Sequence, residues 1–372
     1  MKGKYHSILI LLFLTGSACK EIYYPQLDTA NAGLVVQGMI TDLNEPYYIK
    51  LYKPIPYNGG AREYIHEAKV HVEDNRGNTY NFEETIPGTY VSDPTKFVSE
   101  YGVAYTMIIQ TKDGKAYRSS SQTLNLKGST DSIHAVVTNQ TMTVYSNGLG
   151  AHIQNVKGAD FLGNIELNND PSPFYRYSNI MIAEYTEKYK YYGNDTIRTH
   201  YCWVKYTPYE GLNLSERFSH STKTQQHLGF CPLDTTFYGI QLMPIFKGGP
   251  GGIAIIGYIK RIPELYMITF KQYHLNEDIY NYYKAVDAQL TARQQILDPI
   301  SVQCIGNVIC TTDTNEPVMG VFEVTSVNSY SYTYTRELNG TVDLLQNESF
   351  DATKLPDSDC IIDNPPDFWL SF

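Results

Sequence analysis

The sequence predicts a mainly β protein built from two domains. Short segments in which apolar and polar residues alternate follow one another between glycine-containing turns, as is typical of strands. Thirty-three tyrosines point the same way, because tyrosine favours strands. A length of 372 residues also exceeds what one hydrophobic core usually supports. We therefore predict domains at 33–126 and 127–372.

The first domain is predicted from six short strands and the turns between them. In one strand Ala68, Val70 and Val72 alternate with polar residues, and the turn at 74–78 follows it. Strands at this spacing predict an immunoglobulin/transthyretin-like β-sandwich. The predicted strands are 34–40, 48–52, 68–73, 80–82, 88–91 and 105–110.

The second domain is predicted to be larger and β-rich, with one prominent helix near 277–293. Asn276 is placed to cap the helix, and Leu275 and Tyr280 to form a hydrophobic staple. Ile279, Tyr283, Val286 and Leu290 then fall on one apolar face. The predicted strands are 133–145, 177–185, 200–206, 239–246, 252–259, 265–273, 318–324 and 330–334.

The N-terminus has the features of an export signal. Lys2 and Lys4 precede a short apolar run at 8–14 and small residues at 15–18. Cys19 follows directly and resembles the cysteine of a lipobox, so we predict a lipoprotein signal peptide at 1–18, a lipid anchor on Cys19 and a tether at 19–32. The alternative is an ordinary secreted protein with a cysteine near its cleavage site.

Charge and motifs restrict the function. The formal charge of -10 makes nucleic acid an unfavourable partner, since that binding depends on lysine and arginine neutralising phosphates. The glycine run at 248–252 lacks the Lys-Ser/Thr of a P-loop, and no Gly-x-Ser-x-Gly elbow occurs. We predict no catalytic residues, no metal site and no cofactor.

Five cysteines follow Cys19. An exported chain favours disulfides, and we predict a bond between Cys202 and Cys231, which closes a loop of about 30 residues and stabilises the fold by about 3 kcal/mol. One thiol among Cys304, Cys310 and Cys360 then stays free.

Tyr330, Tyr332 and Tyr334 alternate cleanly near the end of the chain. Such a row is a candidate aromatic binding face, although rows of this kind are more often the buried face of a sheet.

Several motifs follow one another in a characteristic order that covers nearly the whole mature chain. They are Cys19, the strand at 34–40, the segment 68–74 with Gly77, Gly88-Thr89-Tyr90, Tyr105 with 113–117, Cys202-Trp203, the helix with Tyr280, Tyr282 and Tyr283, and the closing segment 365–369. In this order the motifs resemble one known family, the Bacteroidetes outer-membrane lipoproteins of unknown function that are often encoded beside TonB-dependent receptors. The resemblance implies an outer-membrane, cell-surface location and no particular reaction.

These observations predict a surface-exposed outer-membrane lipoprotein that acts as a non-enzymatic binding or accessory subunit of a TonB-dependent receptor system. Two alternatives remain open. One is a hydrolase with catalytic residues dispersed over distant strands, and the other is a structural or adhesive envelope protein.

Overall fold

The computed structural model describes residues 33–55, 60–146, 150–166, 174–192, 198–206, 212–216, 223–232, 242–249, 252–291, 304–334, 344–346 and 360–362. The predicted signal peptide, Cys19 and tether lie outside these residues. The described chain is mainly β with one prominent helix, as the sequence predicts.

The first domain contains β1 (Leu34–Thr41), β2 (Tyr48–Tyr52), β3 (Lys69–Asp74), β4 (Thr79–Ile86), β5 (Thr89–Ser92), β6 (Ala104–Gln110), β7 (Ala116–Ser119) and β8 (Gln122–Thr123). The pairing runs β1–β2–β5–β4–β3–β6–β7, with β8 on β6. Alternation turns one face of each strand inward, so that residues such as Val36, Ile49 and Val72 are almost fully buried. The predicted sandwich is formed around this core.

The second domain contains β9 (Ser129–Ser146), β10 (Gly150–Glu166), β11 (Phe174–Tyr191), β12 (Arg198–Tyr206), β13 (Asn213–Glu216), β14 (Lys223–Pro232), β15 (Leu242–Gly249), β16 (Gly252–Leu275), the helix α1 (Glu277–Thr291), β17 (Val308–Cys310), β18 (Val318–Tyr334), β19 (Leu344–Gln346) and β20 (Cys360–Ile362). Strands β18, β16, β11, β12 and β20 pair in that order. Strands β9, β10 and β14 form a separate three-stranded sheet.

The core of the second domain lies between these two sheets. Phe161 of β10 packs against Phe270 of β16 and Tyr334 of β18, with ring centroids 5.2 and 5.8 Å apart. All three rings are almost fully buried. The domain is therefore a second two-layer β structure.

Strand β18 joins the two domains. Its first half, from Val318 to Thr325, pairs in parallel with β1, and its second half, from Ser326 to Tyr334, pairs antiparallel with β16. Strand β17 also pairs with β7, and Val308, Phe322 and Val324 lie in the first core. The first domain is therefore not made of residues 33–126 alone, because a segment near 308–325 completes it.

The sequence predicts two separate strands at 252–259 and 265–273, but the structure has only one strand there. Strand β16 is continuous for 24 residues. Glu184 pairs with Leu265 and Tyr185 with Pro263, which leaves Glu264 as an extra residue in the register against β11. A bulge of this kind accommodates a proline that cannot donate a ladder hydrogen bond.

The helix α1 begins at Glu277, as predicted. Leu275 and Tyr280 lie in one core cluster together with Ile279, which is consistent with the staple. The Asn276 side chain has a different role, because its Nδ2 donates to the carbonyls of Thr123 and Val324. Leu290 is 58% exposed, so the apolar face is shorter than predicted.

Asp42 is a buried carboxylate at the junction between the domains. It accepts hydrogen bonds from the Val327 N–H at 2.8 Å and the Tyr101 hydroxyl at 2.5 Å, and its Oδ2 lies 2.8 Å from Lys127 Nζ. Burial opposes ionisation of Asp42, but these three contacts outweigh burial and lower its pKa below the usual 3.8. The ionised carboxylate therefore stabilises the junction.

We expect Asp42→Asn to lower the unfolding free energy near neutral pH and to lose this effect in acid. A carboxylate with a lowered folded-state pKa stabilises the protein above its unfolded pKa of about 3.9, and that contribution is lost as the pH falls through the folded value. Urea unfolding of both proteins between neutral pH and strong acid measures the difference. Glu83→Gln, on the exposed surface of β4, is the control. A difference that persists unchanged in strong acid contradicts the assignment.

Candidate functional site

A cleft lies on the outer face of the sheet where β2, β1 and β18 run side by side. Register brings the outward residues of the three strands into three rows. The rows are Tyr48, Met39 and Glu323; Lys50, Gln37 and Val321; and Tyr52, Val35 and Met319. Strand alternation sends all nine side chains to the same face, and they form the floor of the cleft.

Two walls enclose this floor. Tyr282 and Tyr283 of α1 stand on one side, and Pro54, Ile55 and Arg62 stand on the other. The cleft has a volume of about 610 Å³, which is within the range of small-ligand sites. We call it the tyrosine cleft, because Tyr48, Tyr52, Tyr282 and Tyr283 line it.

A buried ion pair supports the helix side of the tyrosine cleft. Arg176 Nη2 lies 3.2 Å from Glu323 Oε1, and the Tyr283 hydroxyl donates to Glu323 Oε2 at 2.6 Å. The Arg176 guanidinium also lies 4.0 Å from the ring centroid of Tyr273 and 4.8 Å from that of Tyr283. Only 13% of the Arg176 side chain and 1% of the Glu323 side chain are exposed. Arg176 thus connects β11 to the cleft floor and to α1.

The ionisable groups around this pair are held in their ordinary protonation states. Burial alone would lower the pKa of Arg176, but the charge of Glu323 raises it above its usual value. Burial and the Glu323 charge both raise the pKa of Tyr283. Near neutral pH the guanidinium therefore stays charged and the phenol stays protonated.

Two cations face the cleft from the first domain. Lys50 and Arg62 are exposed, and neither forms an ion pair with any described residue. The Arg62 guanidinium lies 4.5 Å from the ring centroid of Tyr52. Burial raises the pKa of Tyr52, although the Arg62 charge partly opposes the shift. The open side of the cleft is therefore positively charged.

A second cleft, of about 420 Å³, lies on another side of the first domain. All three of its lysines are already paired with carboxylates of the same cleft. Lys53 pairs with Glu63 at 2.6 Å, Lys112 with Glu67 at 2.8 Å, and Lys115 with Glu316. This cleft has less unsatisfied charge to offer a ligand, so the tyrosine cleft is the better candidate.

The hairpin of β15 and β16 carries exposed apolar side chains at its tip. Phe246 is 60%, Ile253 78% and Ile255 46% exposed, and Phe246 pairs directly with Ile255. The last residue of β18, Tyr334, pairs with Tyr266 of β16. From Tyr266 back to its first residue, Gly252, strand β16 extends roughly 45 Å further away from β1, at about 3.3 Å per residue. The hairpin tip therefore lies far from the start of β1, which directly follows the predicted tether.

The predicted tyrosine row is not an exposed binding face. Tyr332 and Tyr334 are 9% and 1% exposed, and Tyr330 packs against the same core. The Tyr334 ring stacks on Tyr266 at 5.2 Å. The binding-face interpretation is wrong, because the sheet of β9, β10 and β14 covers this face.

The predicted bond between Cys202 and Cys231 is also wrong. Cys231 is a buried free thiol on β14, whereas Cys202 is disulfide-bonded and lies on β12, in the other layer. Cys304 and Cys310 are free as well. The register of β12 and β20 places Cys360 directly opposite Cys202. Sequence separation alone could not show that the last described strand returns to β12.

We expect peptide mapping under non-reducing conditions to recover Cys202 linked to Cys360. Directly opposed residues of antiparallel strands have Cα separations of about 4.5–5.5 Å, which a disulfide can bridge. Mass spectrometry of a digest made with free thiols blocked measures the linkage. Recovery of both cysteines in blocked form contradicts it, and blocked Cys231 is the internal control.

Sequence reasoning missed the cleft residues, although a signal was present. The alternation that turns Ile49 and Leu51 inward necessarily turns Tyr48, Lys50 and Tyr52 outward. An exposed tyrosine and an exposed lysine on one face of a strand, next to a second tyrosine, are consistent with a binding surface. The contribution of β18 and α1 could not be found in this way, because they lie more than 200 residues further along the chain.

No group of three or more potential metal ligands occurs among the residues that the structure describes. Within the same residues no helix is long and apolar enough to span a membrane.

The fold and the cleft define a two-domain β protein with a candidate ligand site at its outer sheet face. The chain belongs to the family described as domain of unknown function DUF4249, whose model matches residues 20–331. That match includes every residue of the cleft floor and the helix α1. No curated protein and no solved structure matches the chain significantly.

Proposed function

We propose that this protein is a lipid-anchored outer-membrane protein on the cell surface, where it acts as a binding or accessory subunit of a TonB-dependent receptor system. The observation that carries the proposal is the tyrosine cleft. It combines a volume of about 610 Å³, four tyrosines and two exposed cations on one face of a sheet. The location is supported by the export signal and Cys19, and by the order of motifs along the chain.

The chemistry of the cleft favours binding over catalysis. A general acid or base works best when its pKa is near the working pH. In the cleft, the pKa values of Tyr52, Tyr282 and Tyr283 are all raised away from neutrality, mainly by burial. Glu323 is engaged by Arg176 and Tyr283. The tyrosine side chains are therefore suited to holding a ligand in place.

The hairpin tip supports the accessory role. Exposed apolar side chains that cluster at one end of a protein are typical of contact surfaces. Phe246, Ile253 and Ile255 form such a cluster, distant from the predicted anchor. In this proposal the tip contacts the receptor, while the tyrosine cleft holds the ligand.

The test is purification of the full lipidated chain from native outer membranes in mild detergent, followed by mass spectrometry. We expect a TonB-dependent receptor to be recovered in near-stoichiometric amount. We expect the Phe246→Ser, Ile253→Ser double variant to lose it, and Ile86→Ser to keep it, because Ile86 is equally exposed but lies on β4. Recovery of the wild-type protein alone contradicts the proposal and favours an enzymatic or adhesive role.

A further inference from the structure

The tyrosine cleft is positively charged in a chain that is strongly acidic. The formal charge of the chain is -10, yet the exposed charges that face the cleft are Lys50 and Arg62. Several other lysines of the first domain have a carboxylate close by, such as Lys53, Lys96 and Lys112. Lys50 and Arg62 lack such a partner among the described residues, so they remain available to an anion.

The acid in the cleft floor does not cancel this charge. Glu323 is 1% exposed and is neutralised by Arg176, which lies 3.2 Å away. Its second oxygen accepts a hydrogen bond from Tyr283. An incoming anion therefore meets the two cations without facing an unpaired carboxylate.

The remaining groups of the cleft suit a hydroxyl-rich ring. Tyr48 is 51% exposed and presents an aromatic surface on which a sugar ring can lie. Gln37 occupies the middle of the floor beside Lys50, and its amide can both donate and accept hydrogen bonds. An aromatic surface with amide and phenol groups around it matches the alternating apolar and polar surface of a saccharide.

We infer that the tyrosine cleft binds a saccharide that carries carboxylate or sulfate groups. The acidic groups pair with Lys50 and Arg62, and the sugar ring lies against Tyr48 with Gln37 beneath it. Arg62 forms the better fork for a carboxylate or sulfate, because a guanidinium can donate two parallel hydrogen bonds. This inference rests on the proposed binding function and specifies its ligand class.

Calorimetric titration of the purified full-length protein with three probes tests the inference. The probes are tetragalacturonate, a heparin-derived sulfated tetrasaccharide and neutral galactotetraose. We expect at least one acidic probe to bind about tenfold or more tightly than the neutral one. We expect the preference to fall as the salt concentration approaches about 1 M, where the Debye length is about 3 Å. Which acidic probe binds more tightly distinguishes carboxylated from sulfated ligands.

Matched variants locate the binding. Lys50→Gln and Arg62→Gln should each weaken the acidic probe about tenfold, because each loses one charged contact. Lys69→Gln should leave it unchanged, since Lys69 is an exposed lysine on β3 that does not line the cleft. All three positions are exposed, and equal unfolding midpoints verify that the fold is kept.

Three outcomes overturn the inference: no binding of either acidic probe at millimolar concentration, equal binding of the neutral probe, or acidic binding that Lys50→Gln and Arg62→Gln leave intact. The proposed function is tested separately. A receptor that co-purifies with a protein that binds no acidic saccharide would preserve the accessory role and remove only the ligand class.

Discussion

Arg176→Met is expected to lower the unfolding free energy by about 3–5 kcal/mol, the usual cost of removing one partner of a buried ion pair. The substitution leaves the Glu323 side chain, which is 1% exposed, without its cation. It also removes the contacts of the guanidinium with the Tyr273 and Tyr283 rings. Urea unfolding followed by circular dichroism measures the change.

A double variant separates the charge from the packing. Arg176→Met combined with Glu323→Leu removes both charges, so we expect it to be more stable than Arg176→Met alone. A loss of less than about 1 kcal/mol in the single variant would contradict the assignment, because a surface pair costs that little. A double variant no more stable than the single one would show that packing dominates.

Gly320→Ala is expected to be the most damaging substitution in the cleft floor. Gly320 lies on β18 with φ +84°, and an added Cβ would meet the Val36 carbonyl oxygen at 1.9 Å. The contact atom is backbone of the paired strand β1, so relief requires the two strands to separate. We expect a loss of more than about 3 kcal/mol, together with loss of ligand binding.

Gly114→Ala is the matched control for this substitution. Gly114 has φ +88°, but a Cβ there meets nothing within 4 Å. Its replacement should cost only the left-handed backbone term of about 1–2 kcal/mol. The difference in unfolding free energy between the two variants measures the close approach of β1 and β18. Equal losses would contradict the pairing of these strands.

The first domain was predictable because its strands are short and locally patterned. Val70 and Val72 alternate with polar residues, and the turn at 74–78 ends the strand. This two-residue alternation and the turn are enough to identify β3. The start of α1 was equally local, since Leu275 and Tyr280 are five residues apart. In both cases the signal lies within about ten residues of sequence. Not every local signal was read correctly, because the Asn276 side chain binds the Thr123 and Val324 carbonyls and Leu290 is exposed.

The second domain was harder because its strands break the local rules. Strand β10 was missed, since Gly158, Asn155 and Asp160 interrupt its apolar pattern. The structure requires glycine there, because a Cβ at Gly158 would meet the Phe230 ring at 2.3 Å. Strand β14 was missed as well. Tertiary packing overrides strand propensity at these positions.

The candidate site could not be predicted from the sequence. Its floor joins β1 and β2 to β18, about 270 residues later, and its buried cation comes from Arg176 on a third segment. The alternation of apolar and polar residues within a strand does not show which distant strand it pairs with in parallel. The tyrosine row at 330–334 was the more visible pattern, yet it lies in the core.

The central claim is that the tyrosine cleft is the ligand site of this protein, and photocrosslinking in living cells tests it most directly. A benzophenone amino acid is placed at Gln37, in the middle of the cleft floor, or at Glu83 on the exposed face of β4. After irradiation the intact mass of the purified protein is measured. We predict a discrete adduct at position 37 and none at position 83. An unmodified protein at both positions, or the same adduct at both, would contradict the claim.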